Sequence, residues 1–141
     1  MIEVRLLTGA DSSVLRRVAA GVFDNPVDPA QTREFLADPR HHICVAIEDG
    51  EVVGFASAVH YVHPDKPPEL WINEVGVAPS HQRRSFAKAI LQRLQALGRE
   101  LGCTEAWVLT DDVNVPARAL YASVGGAERG GVVMVTFPLE D

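Results

Sequence analysis

The residues of this chain best suited to chemistry lie on one stretch and on the turn and helix that follow it. Leu70-Trp71-Ile72-Asn73-Glu74-Val75-Gly76-Val77-Ala78 reads as a buried strand that breaks at Pro79-Ser80. Behind it stand His81-Gln82-Arg83-Arg84-Ser85-Phe86-Ala87-Lys88, and then a long amphipathic pattern that ends before Gly102. A strand feeding a polar, basic turn that opens a helix is a layout for binding phosphate. The first backbone N–H groups of a helix have no partner within it, and its dipole favours an anion there. Titratable groups flank this stretch: Glu74 on the strand, Asp111 and Asp112 in a later turn, and Tyr121 on a later helix.

The elements that must position these groups follow from periodicity and breakers. Ile2 to Leu7 reads as a first strand. Asp11, Ser12 or Ser13 can cap a helix whose apolar positions Val14, Leu15, Val18, Ala19, Val22 and Phe23 recur at helical spacing until Asp24-Asn25-Pro26. A shorter helix is expected from Asp28-Pro29 to Asp38-Pro39. His42 to Glu48 and Glu51 to His60 form a hairpin about the Asp49-Gly50 turn. Tyr61 to Pro68 holds three prolines and reads as a loop. After the 70–78 strand, the apolar stripe Phe86, Ala87, Ile90, Leu91, Leu94, Leu97 and Leu101 predicts a helix packed on a sheet. Thr104 to Thr110 is another strand, Val115 to Ala122 a helix, and Val132 to Phe137 a last strand. The order is β-α-α-β-β-β-α-β-α-β, an α/β fold with a mixed central sheet and helices on both faces. No repeat, linker or low-complexity tract interrupts it, so residues 1–141 read as one domain.

Composition narrows the function. A net charge of −6 speaks against a general nucleic-acid binder and suits a cationic partner such as an amine. No apolar run approaches the roughly 18 residues that span a bilayer, and the N-terminus lacks the pattern of a secretion signal. Cys44 and Cys103 make no metal spacing and read as small core residues; His60, His63 and His81 form no metal pattern either. A cytoplasmic protein without a bound metal is the expectation.

With these elements in order, the chain resembles the GNAT family of N-acetyltransferases over nearly its whole length. The family's pyrophosphate motif (Gln or Arg, two residues, Gly, one residue, Gly or Ala) stands here as Gln82-Arg83-Arg84-Ser85-Phe86-Ala87. A second marker, an Asn followed by Leu-Tyr and a Gly, stands as Asn114 to Leu120-Tyr121 with Gly125-Gly126 behind. A patchier likeness, through Phe23-Asp24-Asn25-Pro26, His81 to Arg84 and Asp111-Asp112, is to the aminoglycoside 3-N-acetyltransferases.

The resemblance implies a GNAT-like acyl-CoA N-acyltransferase fold with acetyl-CoA as co-substrate, lying in a V between the 70–78 and 104–110 strands. The backbone of Val75, Gly76 and Val77 would hold the pantetheine arm like a missing strand. Amides of Gln82, Arg83, Arg84, Ser85, Phe86, Ala87 and Lys88 would hold the pyrophosphate, with charge from the basic side chains. Asn114 would bond the pantetheine, cap a helix, or do both. Tyr121 would act as general acid toward the leaving thiolate. Glu74 is the candidate base, pointing into the cleft if strand alternation holds; a surface carboxylate is the competing reading. Asp111 and Asp112 would bind a cationic acceptor, or simply form the turn. Cys103, next to a strand, is a poor nucleophile candidate.

Ser85 departs from the motif, which has Gly there so that backbone can approach phosphate. A Ser85→Gly variant is therefore expected to bind acetyl-CoA more tightly, by roughly 1 kcal/mol from relieved backbone and contact strain. The implied reaction is direct acetyl transfer to a primary amine of a small cationic acceptor in a ternary complex. Two alternatives stay open: a non-catalytic acyl-CoA-binding relative, and an acetyltransferase of protein or peptide amines. The family is often homodimeric, and nothing in the sequence fixes an interface.

Overall fold

Asp49 and Gly50 take φ of 53° and 75°, the left-handed pair that a tight hairpin turn demands, and the sheet grows outward from this turn. The computed structural model describes residues 1–82 and 85–140. The strands are β1 (Ile2–Leu6), β2 (His41–Glu48), β3 (Glu51–Tyr61), β4 (Glu69–Val77) and β5 (Ala106–Val108). The helices are α1 (Pro29–Ala37), α2 (Phe86–Glu100) and α3 (Val115–Ser123), with 3-10 segments at Gly9–Arg16 and Pro79–His81. The five strands lie in the order β1-β2-β3-β4-β5; successive pairs are antiparallel up to β4, and β5 runs parallel to β4. The mixed sheet expected from the sequence is present, with helical layers on both faces.

Alternation along β2 divides the core. Cys44 and Ala46 face α2, whose Phe86, Ile90, Leu91, Leu94 and Leu97 are buried against them. Ile43 and Val45 face the other way, onto Leu15 of the first 3-10 segment and Val22 beyond it. Full burial of each of these aliphatic side chains contributes roughly 1.5–3 kcal/mol, so the α2 stripe alone anchors that helix firmly. Among the described residues no helix is long and apolar enough to cross a membrane.

Three expectations need correction. The first helix is a 3-10 segment, Gly9–Arg16, capped by Thr8, whose hydroxyl and Asp11 form a reciprocal cap. Residues beyond it turn to the sheet instead: Val52 N–H donates to the Arg17 carbonyl at 2.8 Å and Ala19 N–H to the Val52 carbonyl at 2.9 Å. Backbone pairing with β3 overrides the helical spacing of Val18, Ala19 and Val22. The strand read over 104–110 shrinks to Ala106–Val108. The strand read over 132–137 does not form: the segment has no regular structure and pairs with no described strand.

Candidate active site

Strands β4 and β5 are joined only at their start. Leu70, Trp71 and Ile72 pair with Ala106, Trp107 and Val108, and the two indoles stack with centroids 5.3 Å apart. Beyond Ile72 the strands part. Residues 73–77 keep β3 as a neighbour on one side and have no β5 partner on the other. Backbone groups that point to the open side are therefore available to a ligand lying there as an extra strand. This is the V that the resemblance implies, and Val75 and Val77 sit on its β4 arm.

A bulge lies at the fork. Ala58 pairs with Ile72 and Ser57 with Glu74, which leaves Asn73 as the extra residue. The simple alternation expected for Asn73, Glu74 and Val75 fails here: Asn73 and Glu74 are both exposed and Val75 is half-buried. Glu74 thus stands at the fork on the accessible surface, through the bulge and not through period-two alternation.

Gly76 has a structural reason of its own. A Cβ there would come 2.2 Å from the Val22 carbonyl oxygen and 2.7 Å from Cε1 of Phe55. Phe23 stacks on Phe55 of β3 at 4.0 Å, and with Val22 against Gly76 the 20–26 loop is pressed onto β3 and β4 together. Between this loop and α1 lies a cavity of about 530 Å³ that Arg16, Phe23, Asp24, Asn25 and Arg33 help to line. Sequence reasoning placed no site residue there, although it had singled out Phe23-Asp24-Asn25-Pro26; a turn after a helix gives no sign that a cavity will form beside it.

At the end of β4 the chain passes through Pro79–His81 into α2. His81 pins this turn: its Nε2 lies 2.8 Å from Glu48 Oε1 and its Nδ1 2.7 Å from Ser80 Oγ. Phe86 is buried, while Gln82, Ser85 and Lys88 are exposed and Ala87 is half-buried. Ser85 occupies the N-cap position of α2 with no capping side-chain hydrogen bond. The N–H groups of the first helical turn, Phe86 to Lys88, consequently receive no cap from Ser85, as an anion site requires. Arg83 and Arg84 lie outside the described residues. Ser85 has φ −72° and ψ −7°, ordinary helical values. The backbone strain expected at this position is absent, and only the added Cβ and its hydroxyl distinguish Ser from Gly.

The other arm of the V leads from β5 into α3. Asp111 and Asp112 are exposed turn residues; the Asp111 carbonyl accepts from Asn114 N–H at 3.0 Å, and the Asp112 carbonyl from Arg118 Nη1 at 2.7 Å. Asn114 caps α3, its Oδ1 accepting from Ala117 N–H at 3.2 Å, which leaves the donors of its side-chain amide. Tyr121 is half-buried among the residues packed on α2, and burial raises its phenol pKa above the usual 10. The phenol is therefore neutral and a proton donor at physiological pH. The Tyr121 carbonyl accepts from Gly126 N–H at 2.9 Å, and a Cβ on Gly126 would fall 2.8 Å from that oxygen. That close approach explains the glycine behind the Leu-Tyr marker.

Neither thiol is poised for attack. Burial pushes Cys44 up to about 11, and burial with the nearby Glu69 carboxylate raises Cys103. Among the described residues no cluster of His, Cys, Asp and Glu could hold a metal ion.

The profile of the Acetyltransferase (GNAT) family matches residues 14–125. The chain belongs to the GNAT family. Within it, the chain is 30% identical over 129 residues to an aminoglycoside N(6′)-acetyltransferase type 1 of Serratia marcescens, covering 87% of this chain and 88% of that protein. An uncharacterized N-acetyltransferase of Mycobacterium bovis is 27% identical over 106 residues; that match covers 75% of this chain and spans 65% of the relative's length. Among solved structures, an aminoglycoside acetyltransferase from an uncultured soil metagenomic sample superposes with a TM-score of 0.81 at 25% identity, covering 99% of each chain. AAC(6′)-Iy in complex with a bisubstrate analogue of CoA shares the fold, with a TM-score of 0.79 at 23% identity over 98% of this chain and 99% of that one. The Serratia relative and AAC(6′)-Iy carry the 6′ position in their names, where the patchier sequence likeness pointed to the 3-N enzymes. The GNAT fold expected from the sequence is thereby established.

Proposed function

We propose that this chain transfers the acetyl group of acetyl-CoA to a primary amine of a small cationic acceptor, an aminoglycoside-like compound, by direct attack in a ternary complex. The observation that carries this reading is the parting of β4 and β5 beyond the Ile72–Val108 pair, with the uncapped start of α2 at the same end of the sheet. The pantetheine lies in the fork against residues 73–77, and the pyrophosphate lies on the N–H groups of Phe86, Ala87 and Lys88. Gln82, Arg83 and Arg84 belong to the same cradle by the motif. The CoA complex of a protein with this fold supports the choice of cofactor.

In the transfer, the amine nitrogen attacks the thioester carbonyl, the C–S bond breaks, and coenzyme A leaves as a thiolate. Tyr121 donates its phenolic hydrogen toward that sulfur. Since a free thiol titrates near 8.5 and the buried phenol higher, the tyrosine recovers its proton from solvent after the C–S bond is gone. Glu74, exposed at the fork, takes the proton that the attacking ammonium must lose, directly or through a water molecule. Asp111 and Asp112 stand after the end of β5 and draw in a cationic acceptor. Asp24 adds a carboxylate on the loop side, but Arg16 and Arg33 line the same cavity and oppose a polycation deep inside it. The acceptor therefore stays out of the depth of that cavity and sits where Glu74 can reach its amine. A homodimer belongs to the same reading.

Thiol release from acetyl-CoA across aminoglycosides, polyamines, amino acids and peptides tests this function. Release with an aminoglycoside or polyamine supports it. Release only with peptides moves the chain to protein acetylation, and cofactor binding without release from any amine makes it a non-catalytic binder.

A further inference from the structure

The 20–26 loop that meets β4 at the fork has a second side. Its Val22 carbonyl abuts Gly76, and Gly21, with φ of 83°, lies where a Cβ would come 2.9 Å from Cδ of Pro79. Phe23, Asp24 and Asn25 of the same loop line the cavity of about 530 Å³. That volume falls in the range of small-molecule sites. One loop thus walls both the fork and the cavity, and the transfer proposed above leaves the depth of the cavity unused.

Two separate elements give this cavity an arginine each. Arg16 ends the first 3-10 segment, directly after Leu15, which is 6% exposed. Arg33 lies on α1, directly after Thr32, which is 8% exposed and whose hydroxyl donates to the Asp28 carbonyl at 2.8 Å. Each arginine is therefore placed by a buried neighbour.

Neither guanidinium has an ion-pair or hydrogen-bond partner among the described residues, whereas Arg5 and Arg118 are each bound to a carboxylate, at 2.9 and 2.7 Å. One unpaired arginine on a surface is an ordinary solvated group. Two on separate elements, lining one concave wall, focus a positive potential into it. They outnumber Asp24 there, in a chain whose net charge is −6. A guanidinium presents its N–H groups as a planar fork that fits two oxygens of a carboxylate or phosphate.

We propose that this cavity binds the acidic group, carboxylate or phosphate, of a small organic molecule. Arg16 and Arg33 hold the oxygens, and Leu15 and Phe23 meet the carbon skeleton. The source is a separate organic acid or the acidic end of an amphoteric acceptor whose amine stands at Glu74. Only the second source rests on the acetyl-transfer reading; the binding itself goes beyond it.

Calorimetric titration with succinate and phenyl phosphate, beside succinamide and phenol as uncharged counterparts, tests the site. Saturating CoA and constant ionic strength keep the start of α2 and general screening out of the comparison. At least one acid is expected to bind about tenfold or more tighter than its counterpart, and to move amide chemical shifts within residues 12–33. Arg16→Gln and Arg33→Gln are each expected to weaken that acid about tenfold, with CoA affinity and circular dichroism unchanged. Arg40→Gln, at an exposed arginine outside the cavity, is expected to leave it alone. A chain that binds no CoA refutes the acetyl-transfer reading and leaves this titration as it stands. Acetyl transfer to lysine against lysinamide then separates the sources. A preference for lysine that both variants lower assigns the acidic group to the acceptor, and any other ratio assigns it to a separate acid. Acids that bind no more tightly than their counterparts, shifts confined to the start of α2, or folded variants that bind both acids like the native chain overturn the proposal.

Discussion

The Cβ that Gly54 lacks would stand 2.5 Å from Cε2 of Phe86. Gly54 lies on β3, opposite Val77 at the end of β4, and Phe86 is the first residue of α2. The absent side chain therefore lets the start of the helix settle directly on the sheet beside the fork. Gly54→Ala must displace a buried ring, at a cost of about 1–3 kcal/mol in stability. Because the displaced ring belongs to the first turn of α2, affinity for CoA is expected to fall along with the melting temperature. Calorimetric titration on the folded variant checks this; a variant less stable but with native affinity would show that the helix start plays no part in binding.

Tyr121→Phe removes the proposed donor and keeps the ring that packs on α2. Turnover should fall by roughly 10²-fold, the lower range for general acid catalysis, while acetyl-CoA affinity stays near native. Steady-state kinetics with an active amine from the panel, beside a binding titration, separates the two effects. Native turnover in the variant would remove Tyr121 from the mechanism.

Ser85→Gly removes the hydroxymethyl group. Since Ser85 already has helical φ and ψ, the substitution relieves no backbone strain, and glycine at an N-cap changes helix stability by only a few tenths of a kcal/mol. The expected result is a near-native melting temperature with tighter acetyl-CoA binding. Unchanged or weaker binding would mean that the phosphate does not approach residue 85 closely.

His42 supplies a pH dependence remote from the fork. Its Nε2 lies 2.8 Å from Nδ1 of His60, and burial, followed by the charges of His60 and His41, lowers its pKa from 6.5 to about 4. Burial lowers His60 as well. Between pH 6.5 and 4 the unfolded chain takes up a proton that native His42 refuses, so stability is fully present above pH 6.5 and is lost as pH falls through this window. Partial exposure screens the effect to at most about 1 kcal/mol per pH unit. Denaturant titrations at pH 7, 6 and 5 should show this slope, and His42→Gln should flatten it. A native slope that the variant retains would assign the acid sensitivity elsewhere.

Much of the fold was legible in local chemistry. Asp28 caps α1 with its side chain accepting from Gln31 N–H, Asp49-Gly50 makes the hairpin, and the α2 stripe packs as its spacing demands. The site was legible at the level of elements, since β4, the turn at Pro79 and α2 follow one another in the chain. What escaped depends on distant partners. The bulge at Asn73 arises from registry with β3 and has no signal in the residues that form it. The first helix is cut short because Arg17 and Ala19 find Val52. The 132–137 segment has every local mark of a strand, yet no described strand of its own chain pairs with it.

The central claim is that coenzyme A lies in the fork between β4 and β5 with its pyrophosphate on the start of α2. A crystal structure with CoA tests it most directly. The account predicts pantetheine density alongside residues 73–77 and phosphate oxygens within hydrogen-bonding distance of the Phe86, Ala87 and Lys88 amides. CoA bound elsewhere, or a fork left empty at saturating CoA, would contradict it.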